Sequence, residues 1–135
     1  MLTKRILSAA LLLTLAACSS YSTGNITSPS GANLGDPVAT QSDSTFPKKP
    51  AEILVKTGDV TDRPYDVLGD IEVSVNKTTI FHPSPTPALV DEALQRRAAA
   101  LGADAVINVT YSDVHVSLIS WGTMDGKGQA VKFKK

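Results

Sequence analysis

The sequence predicts an α+β domain in which one helix packs on a small antiparallel-rich sheet, in the order β-β-α-β-β, preceded by a disordered tether. Three observations lead to this fold class. Apolar and polar residues alternate from Asp70 to Val75, as in a half-buried strand. A stretch with helical spacing follows at 87–101, and further alternating stretches begin at Ala105. The residues ahead of the first strand have neither period, which is typical of a chain that stays unfolded.

The first 17 residues predict a lipoprotein signal peptide that does not belong to the fold. Lys4 and Arg5 precede an apolar run, residues 6–17, that is too short to span a bilayer. The tetrapeptide 15–18, Leu-Ala-Ala-Cys, resembles a bacterial lipobox. The resemblance implies that Cys18 carries fatty acyl chains such as palmitate, and Ser19 after it implies delivery to the outer membrane. The alternative is an ordinary secreted protein with a stray cysteine.

Residues 18–50 are predicted to be the lipidated Cys18 and a flexible linker. Ser, Thr, Pro, Gly and Asn dominate this stretch, and its few apolar residues are scattered. Such a chain cannot bury enough apolar surface to offset the entropy lost on ordering. The domain is therefore predicted to span 51–135.

Composition excludes nucleic-acid binding and a disulfide-stabilised domain. The chain has 13 basic and 13 acidic residues, and loss of the leader removes two of the basic ones. A domain without a basic face and with few aromatic residues is not a nucleic-acid binder. Because Cys18 is the only cysteine, the domain holds no disulfide and must be stable through packing alone.

The elements of the domain are predicted in order. A short strand lies within 52–56, and a second strand lies within 63–75, where the alternation covers 70–75. Pro64 can only precede this second strand or lie at its edge. Thr86 and Pro87 are typical of a helix N-cap and first position, and Gly102 is typical of a helix end. Val90, Leu94, Ala98 and Leu101 form the predicted buried face of that helix.

The C-terminal third is predicted to be all β. Ala105, Ile107, Val109 and Tyr111 are expected on one face of a strand. The alternation then changes phase near Ser112, so the stretch is either one bulged strand or two strands with a tight break. Residues 124–128 are predicted to form a hairpin turn through Asp125-Gly126, and 129–135 a final edge strand protected by Lys132, Lys134 and Lys135.

Two segments resemble known families. The segment 63–73, with Arg63, Pro64, Tyr65, Leu68, Gly69, Asp70 and Val73, resembles the RcsF-like outer-membrane stress-sensor lipoproteins. The segments 100–111 and 128–131 resemble the small YbjQ-like proteins, some of which are labelled heavy-metal-binding. The resemblance implies a compact α/β domain and, for the first group, contact with envelope proteins. A disulfide-dependent sensing role does not carry over, because this domain has no cysteine.

Candidate chemical groups are few. His82 and His115 are too few for a metal site, so the metal and cofactor prediction is none. Asp70 and Glu72 are interpreted as an exposed polar face rather than an acid/base pair, and Arg96-Arg97 as a solvated helix face. Trp121 is predicted to anchor the core, with a partner surface as the alternative.

The sequence therefore predicts a non-enzymatic, lipid-anchored cell-envelope protein with no catalytic residue. Its domain is expected to be a protein-interaction module for stress sensing or assembly, with an unknown envelope protein as partner and no nucleic acid. The alternative is a tethered small-molecule or metal-binding module, whose ligand-binding residues the sequence does not identify. The predicted location is the outer membrane, with the domain in the periplasm or on the surface.

Overall fold

The structure, a computed structural model, describes residues 22–39, 41–77, 81, 84–118 and 120–135. Within them, one α-helix packs on a seven-stranded, mostly antiparallel sheet, which confirms the predicted α+β class. The elements are β1 (Ser22–Thr27), β2 (Asn33–Gly35), β3 (Leu54–Val55), β4 (Tyr65–Asn76), α1 (Pro87–Leu101), β5 (Ala105–Tyr111), β6 (His115–Ser117) and β7 (Ser120–Phe133). Single turns of 3-10 helix lie at Pro37–Ala39, Asp43–Thr45 and Pro50–Glu52.

The strand order across the sheet is β2-β1-β4-β7-β5-β3, and β6 also pairs with β7. Among the strand pairs of the described residues, only β3–β5 is parallel. The last strand is thus central, with β4 on one side and β5 on the other. The final strand predicted at 129–135 is present as the C-terminal part of β7, but its predicted edge position is wrong, so the three C-terminal lysines do not protect an edge.

The helix has the predicted bounds and caps. The Thr86 side chain accepts a hydrogen bond from the Leu89 backbone N–H at 3.4 Å, and Pro87 opens the first turn. Gly102 ends the helix with φ 72°, a left-handed conformation that glycine adopts without steric cost. These short-range signals depend only on neighbouring residues, which is why the sequence alone predicts them.

The main core lies between α1 and one face of the sheet. Val90, Leu94 and Ala98 pack from the helix onto the β4 side chains Ile71 and Val73. A smaller cluster covers one end of the opposite face. It contains Val60, Ala105, Ile107 and Val131, with Tyr65 and Phe133 packed against it.

Two glycines of β7 allow α1 and β5 to approach the strand closely. A Cβ added at Gly126 would overlap Val90 Cγ1, and one at Gly128 would overlap Val106 Cγ1. Both positions lie within the continuous strand β7, so the hairpin turn predicted at Asp125-Gly126 is wrong. The glycines are there because the core needs room, not because the chain reverses.

The predicted flexible linker is not what the structure shows from Ser22 onward. β1 pairs residue by residue with β4, from Ser22 opposite Val75 to Thr27 opposite Asp70. Ile26 is 1% exposed, and Phe46 also belongs to the main core. The domain therefore includes residues that the composition assigned to the linker. Cys18 and the signal peptide lie outside the described residues.

An ion pair joins this N-terminal segment to the helix. The Arg97 side chain is fully buried, and its Nη2 donates to Asp36 Oδ2 at 2.7 Å. Asp36 Oδ2 also accepts from the Gly24 backbone N–H at 3.0 Å. The prediction of a solvated helix face is thus wrong for Arg97. Its neighbour Arg96 pairs with the exposed Asp43 at 2.9 Å.

Candidate functional site

The sheet face opposite α1 is polar and uncovered over the strands β1, β4 and β7. We call this surface the open face. It comprises Asn25, Thr27, Asp70, Glu72, Ser74, Asp125, Lys127 and Gln129, which follow from strand alternation and register. Each of the three strands contributes every second residue, so these side chains form one continuous surface.

Cross-strand pairs order the middle of the open face. Lys127 forms an ion pair with Glu72 directly opposite it, and the Ser74 hydroxyl donates to Asp125 Oδ1. The hydrogen bond and the charge of Glu72 raise the pKa of Lys127 above its usual value. Both partners of the Lys127–Glu72 pair are more than half exposed, so the pair adds little stability and can exchange for a ligand's charges.

A β-bulge in β5 forms one border of the open face. The register with β7 shifts between Ile107 and Thr110, and Asn108 has a positive φ of 53°. Asn is one of the few residues that tolerate this left-handed conformation. Its side-chain amide donates to Gln129 Oε1 at 3.4 Å. The bulge thus aims a side-chain amide at the neighbouring strand, as bulges near binding sites commonly do.

Because of the bulge, the predicted pattern of buried residues in β5 is wrong after Ile107. Ala105 and Ile107 pack in the small cluster on the open-face side, whereas Val109 and Tyr111 pack on the helix side. All four were expected on one face, but the extra residue inverts the alternation after Ile107. The break at 112–114 separates β5 from β6, so the two-strand alternative is the correct one.

A shallow groove of about 550 Å³ lies where the bulge meets the open face. Its walls are polar apart from Ile71 and Gly128, and the polar lining is Thr27, Asp70, Glu72, Asn108, Lys127 and Gln129. Carboxylates, amides and one ammonium offer both donors and acceptors. This groove can bind polar groups, and its open form suits an extended surface better than an enclosed small molecule.

The open face has an acidic excess. Asp70, Glu72 and Asp125 provide three carboxylates against the single ammonium of Lys127. The Asp70 side chain is exposed on β4, between β1 and β7. Among the described residues, its carboxylate has no hydrogen-bond or ion-pair partner. A surface with complementary positive charge would be attracted here.

The other sequence-predicted candidates do not assemble into a site. His82 and Cys18 are outside the described residues. His115 lies on β6 with Nε2 3.8 Å from Asp125 Oδ2, and both side chains are partly exposed. Within the part of the chain that the structure describes, no group of three or more His, Cys, Asp or Glu side chains could hold a metal ion.

Trp121 does not anchor the core. Its side chain is 63% exposed near the β6–β7 connection, so the predicted core role is wrong. Asp70 and Glu72 were expected on a polar strand face, whereas Asn108, Lys127 and Gln129 were not predicted to share one surface with them. The alternation of polar residues along 123–129 could have indicated it, had Asp125-Gly126 not been interpreted as a turn.

Comparison with known proteins yields two structural likenesses. No protein-family model and no curated relative matches the chain. A protein of unknown function of the DUF74 family from Pediococcus pentosaceus is 16% identical, with a TM-score of 0.44, over 61% of this chain and 98% of its own. The Francisella virulence factor FvfA is 17% identical, also with a TM-score of 0.44, over 82% of this chain and 97% of its own. Among the described residues, no helix has the length and apolar character needed to cross a bilayer.

Proposed function

We propose that this protein is a non-enzymatic, lipid-anchored component of the outer membrane, and that its domain binds another envelope protein through the open face. The anchor is Cys18, whose lipobox-like context supports acylation. The observation that carries the binding proposal is the continuous polar surface formed by alternate residues of β1, β4 and β7.

The charge of the open face favours a partner with a basic surface. Three carboxylates lie within two neighbouring strands, and only one ammonium is among them. Asp70, which has no intramolecular partner in the described part of the chain, can accept hydrogen bonds from lysine or arginine without first breaking a contact. Opposite charges across an interface increase the association rate and exclude wrong partners.

Site-specific crosslinking in intact cells tests this proposal. A photoreactive residue at Gln129, in the groove, should trap a protein partner. The matched control places the same residue at Glu92, which is exposed on α1. Asp70→Lys should reduce the Gln129 adduct, because it replaces the unpaired carboxylate with a positive charge that repels the basic surface of the partner. Equal adducts at both positions, or none at Gln129, would contradict the open face as the contact surface.

A second candidate function is the binding of a polar small molecule, which the bulge at Asn108 favours because it aims an amide into the groove. A ligand that binds the native state but not the unfolded state stabilises the protein by RT ln(1 + [L]/Kd) and so raises the thermal midpoint. A thermal-shift screen with polar metabolites should therefore show a midpoint increase that Asn108→Gly abolishes. A response that survives this substitution would place the ligand elsewhere.

A further inference from the structure

Exposed apolar side chains concentrate at one end of the molecule. Among the described residues, eight large hydrophobic side chains are exposed, and five of them lie in the β6–β7 region or in the connection that follows β4; they are Phe81, Val114, Val116, Leu118 and Trp121. Leu118 is fully exposed, and Val116 is 73% exposed. We call Val116, Leu118 and Trp121 the apolar tip. Such a concentration marks a contact surface, because soluble surfaces seldom group large apolar side chains.

The chain enters the domain at this same end. Ser22, the first residue of β1, lies opposite Val75 of β4, and Val75 lies opposite Met124 of β7. β7 continues four residues beyond Met124 to Ser120, a distance of about 13 Å along a strand. The β6–β7 hairpin therefore extends past the level of Ser22 by roughly that length.

The distance that the chain can span between the lipid anchor and β1 is similar to this length. Cys18 precedes Ser22 by four residues, which span at most about 14 Å when extended. With residues 22–39 and 41–50 folded into the domain, only the short stretch after Cys18 separates the lipid from β1. A domain held this closely at its hairpin end cannot stand far from the bilayer.

We propose that the apolar tip inserts into the headgroup region of the membrane that holds Cys18, as a second contact beside the lipid anchor. This inference rests on the acylation in the proposed function. Tryptophan and aliphatic side chains partition into this interface. Lys77, whose backbone pairs with Trp121 and Gly122, adds a cation at the base of the hairpin, where it can face lipid phosphates. The open face then runs away from the membrane, accessible to a partner.

Trp121 provides the assay, since it is the only tryptophan. The acylated protein is reconstituted into vesicles of phosphatidylethanolamine and phosphatidylglycerol, with and without lipids brominated near the headgroup. We expect Trp121 emission to shift to shorter wavelength and to be quenched by the brominated lipids. Leu118→Asp should abolish most of this quenching while leaving the urea midpoint unchanged, because Leu118 is fully exposed.

Leu34→Asp is the matched control. Leu34 is also exposed, but β2 pairs with the far end of β1, where Ile26 lies opposite Gly35. It should leave the quenching unchanged. Quenching that is absent, or equally reduced by both substitutions, would overturn the apolar tip as a membrane contact. Trp121 protection that grows with protein concentration without lipid would overturn it in favour of a second copy.

Mass spectrometry of the same sample separates the two proposals. An acylated Cys18 with unquenched Trp121 refutes only the apolar tip. An unmodified thiol refutes the anchor and, with it, the orientation on which the apolar tip depends.

Discussion

Replacing Asp36 with alanine should destabilise the protein far more than replacing Asp43, although each carboxylate pairs with one of two adjacent arginines. Asp36 accepts hydrogen bonds from the fully buried Arg97 and from the Gly24 N–H. Without it, the buried guanidinium keeps only neutral oxygens, the Ala93 carbonyl at 3.0 Å and Ser22 contacts at 3.4–3.5 Å. Among the described residues, Arg97 Nε is already a buried nitrogen without a partner.

The magnitude follows from burial. Removing one partner of a buried ion pair costs about 3–5 kcal/mol, because an uncompensated charge remains in the interior. With a urea m-value of about 2 kcal/mol per molar, the midpoint should fall by about 2 M. Asp43 is 46% exposed and Arg96 lies near the surface, so Asp43→Ala should cost less than about 1 kcal/mol.

Urea unfolding followed by far-ultraviolet circular dichroism measures both substitutions. The exposed Trp121 would report the core poorly, whereas α1 contributes directly to the dichroism. If Asp36→Ala abolishes folding, Asp36→Asn keeps an acceptor without the charge and should give an intermediate midpoint. Similar midpoints for Asp36→Ala and Asp43→Ala would show that residues 22–39 are not part of the folded domain.

Two further predictions concern packing and pH. Gly126→Ala should destabilise the protein by about 1–3 kcal/mol, because the new methyl group overlaps Val90. The control is Gly58→Ala, since a Cβ at Gly58 meets nothing within 4 Å. Equal thermal midpoints for the two variants would contradict close packing of the helix on the strand. Burial, followed by the hydrogen bond to Asp91, raises the pKa of Tyr111 from 10.0 to about 12. Because the pKa is raised in the folded state, the protonated Tyr111 stabilises the fold fully below pH 10, and this stabilisation is lost as pH rises toward 12. The free energy of unfolding should therefore fall less steeply with pH in that window in Tyr111→Phe. An unchanged slope would refute the assignment.

Sequence reasoning succeeded where the cause of structure is local. The caps of α1 at Thr86 and Gly102 depend on side chains and φ values within one turn. The alternation of Ile71 and Val73 in β4 reflects a single buried face. Neither requires knowledge of what lies opposite in space.

The errors share a long-range cause. β1 resembles a linker because its inward position 24 is glycine, and the side chain that fills the space above it is Arg97. The spacing did contain a signal. Arg97 lies three residues after Leu94 and seven after Val90, which places it on the buried side of the helix. Gly126 was likewise interpreted as a turn, although the need for it comes from Val90 across the core.

The candidate site was predicted only in part. The polar side of β4 was expected, but its continuation across β7 depends on 124–128 being a strand. The location of Asn108 on the border depends on a one-residue register shift that composition does not reveal. The anchor at Cys18 and the membrane location remain predictions.

The central location of β7 has a consequence for how the chain acquires its structure. β4 and β5 each pair with β7 and not with each other, so the sheet cannot form completely until residues 120–133 are available. In partial chains emerging from a ribosome or a secretion channel, β4 and β5 would lack the strand that pairs with both of them. We therefore expect folding to follow synthesis as one cooperative event, and a premature stop within the last 15 codons to leave an unfolded product for proteases.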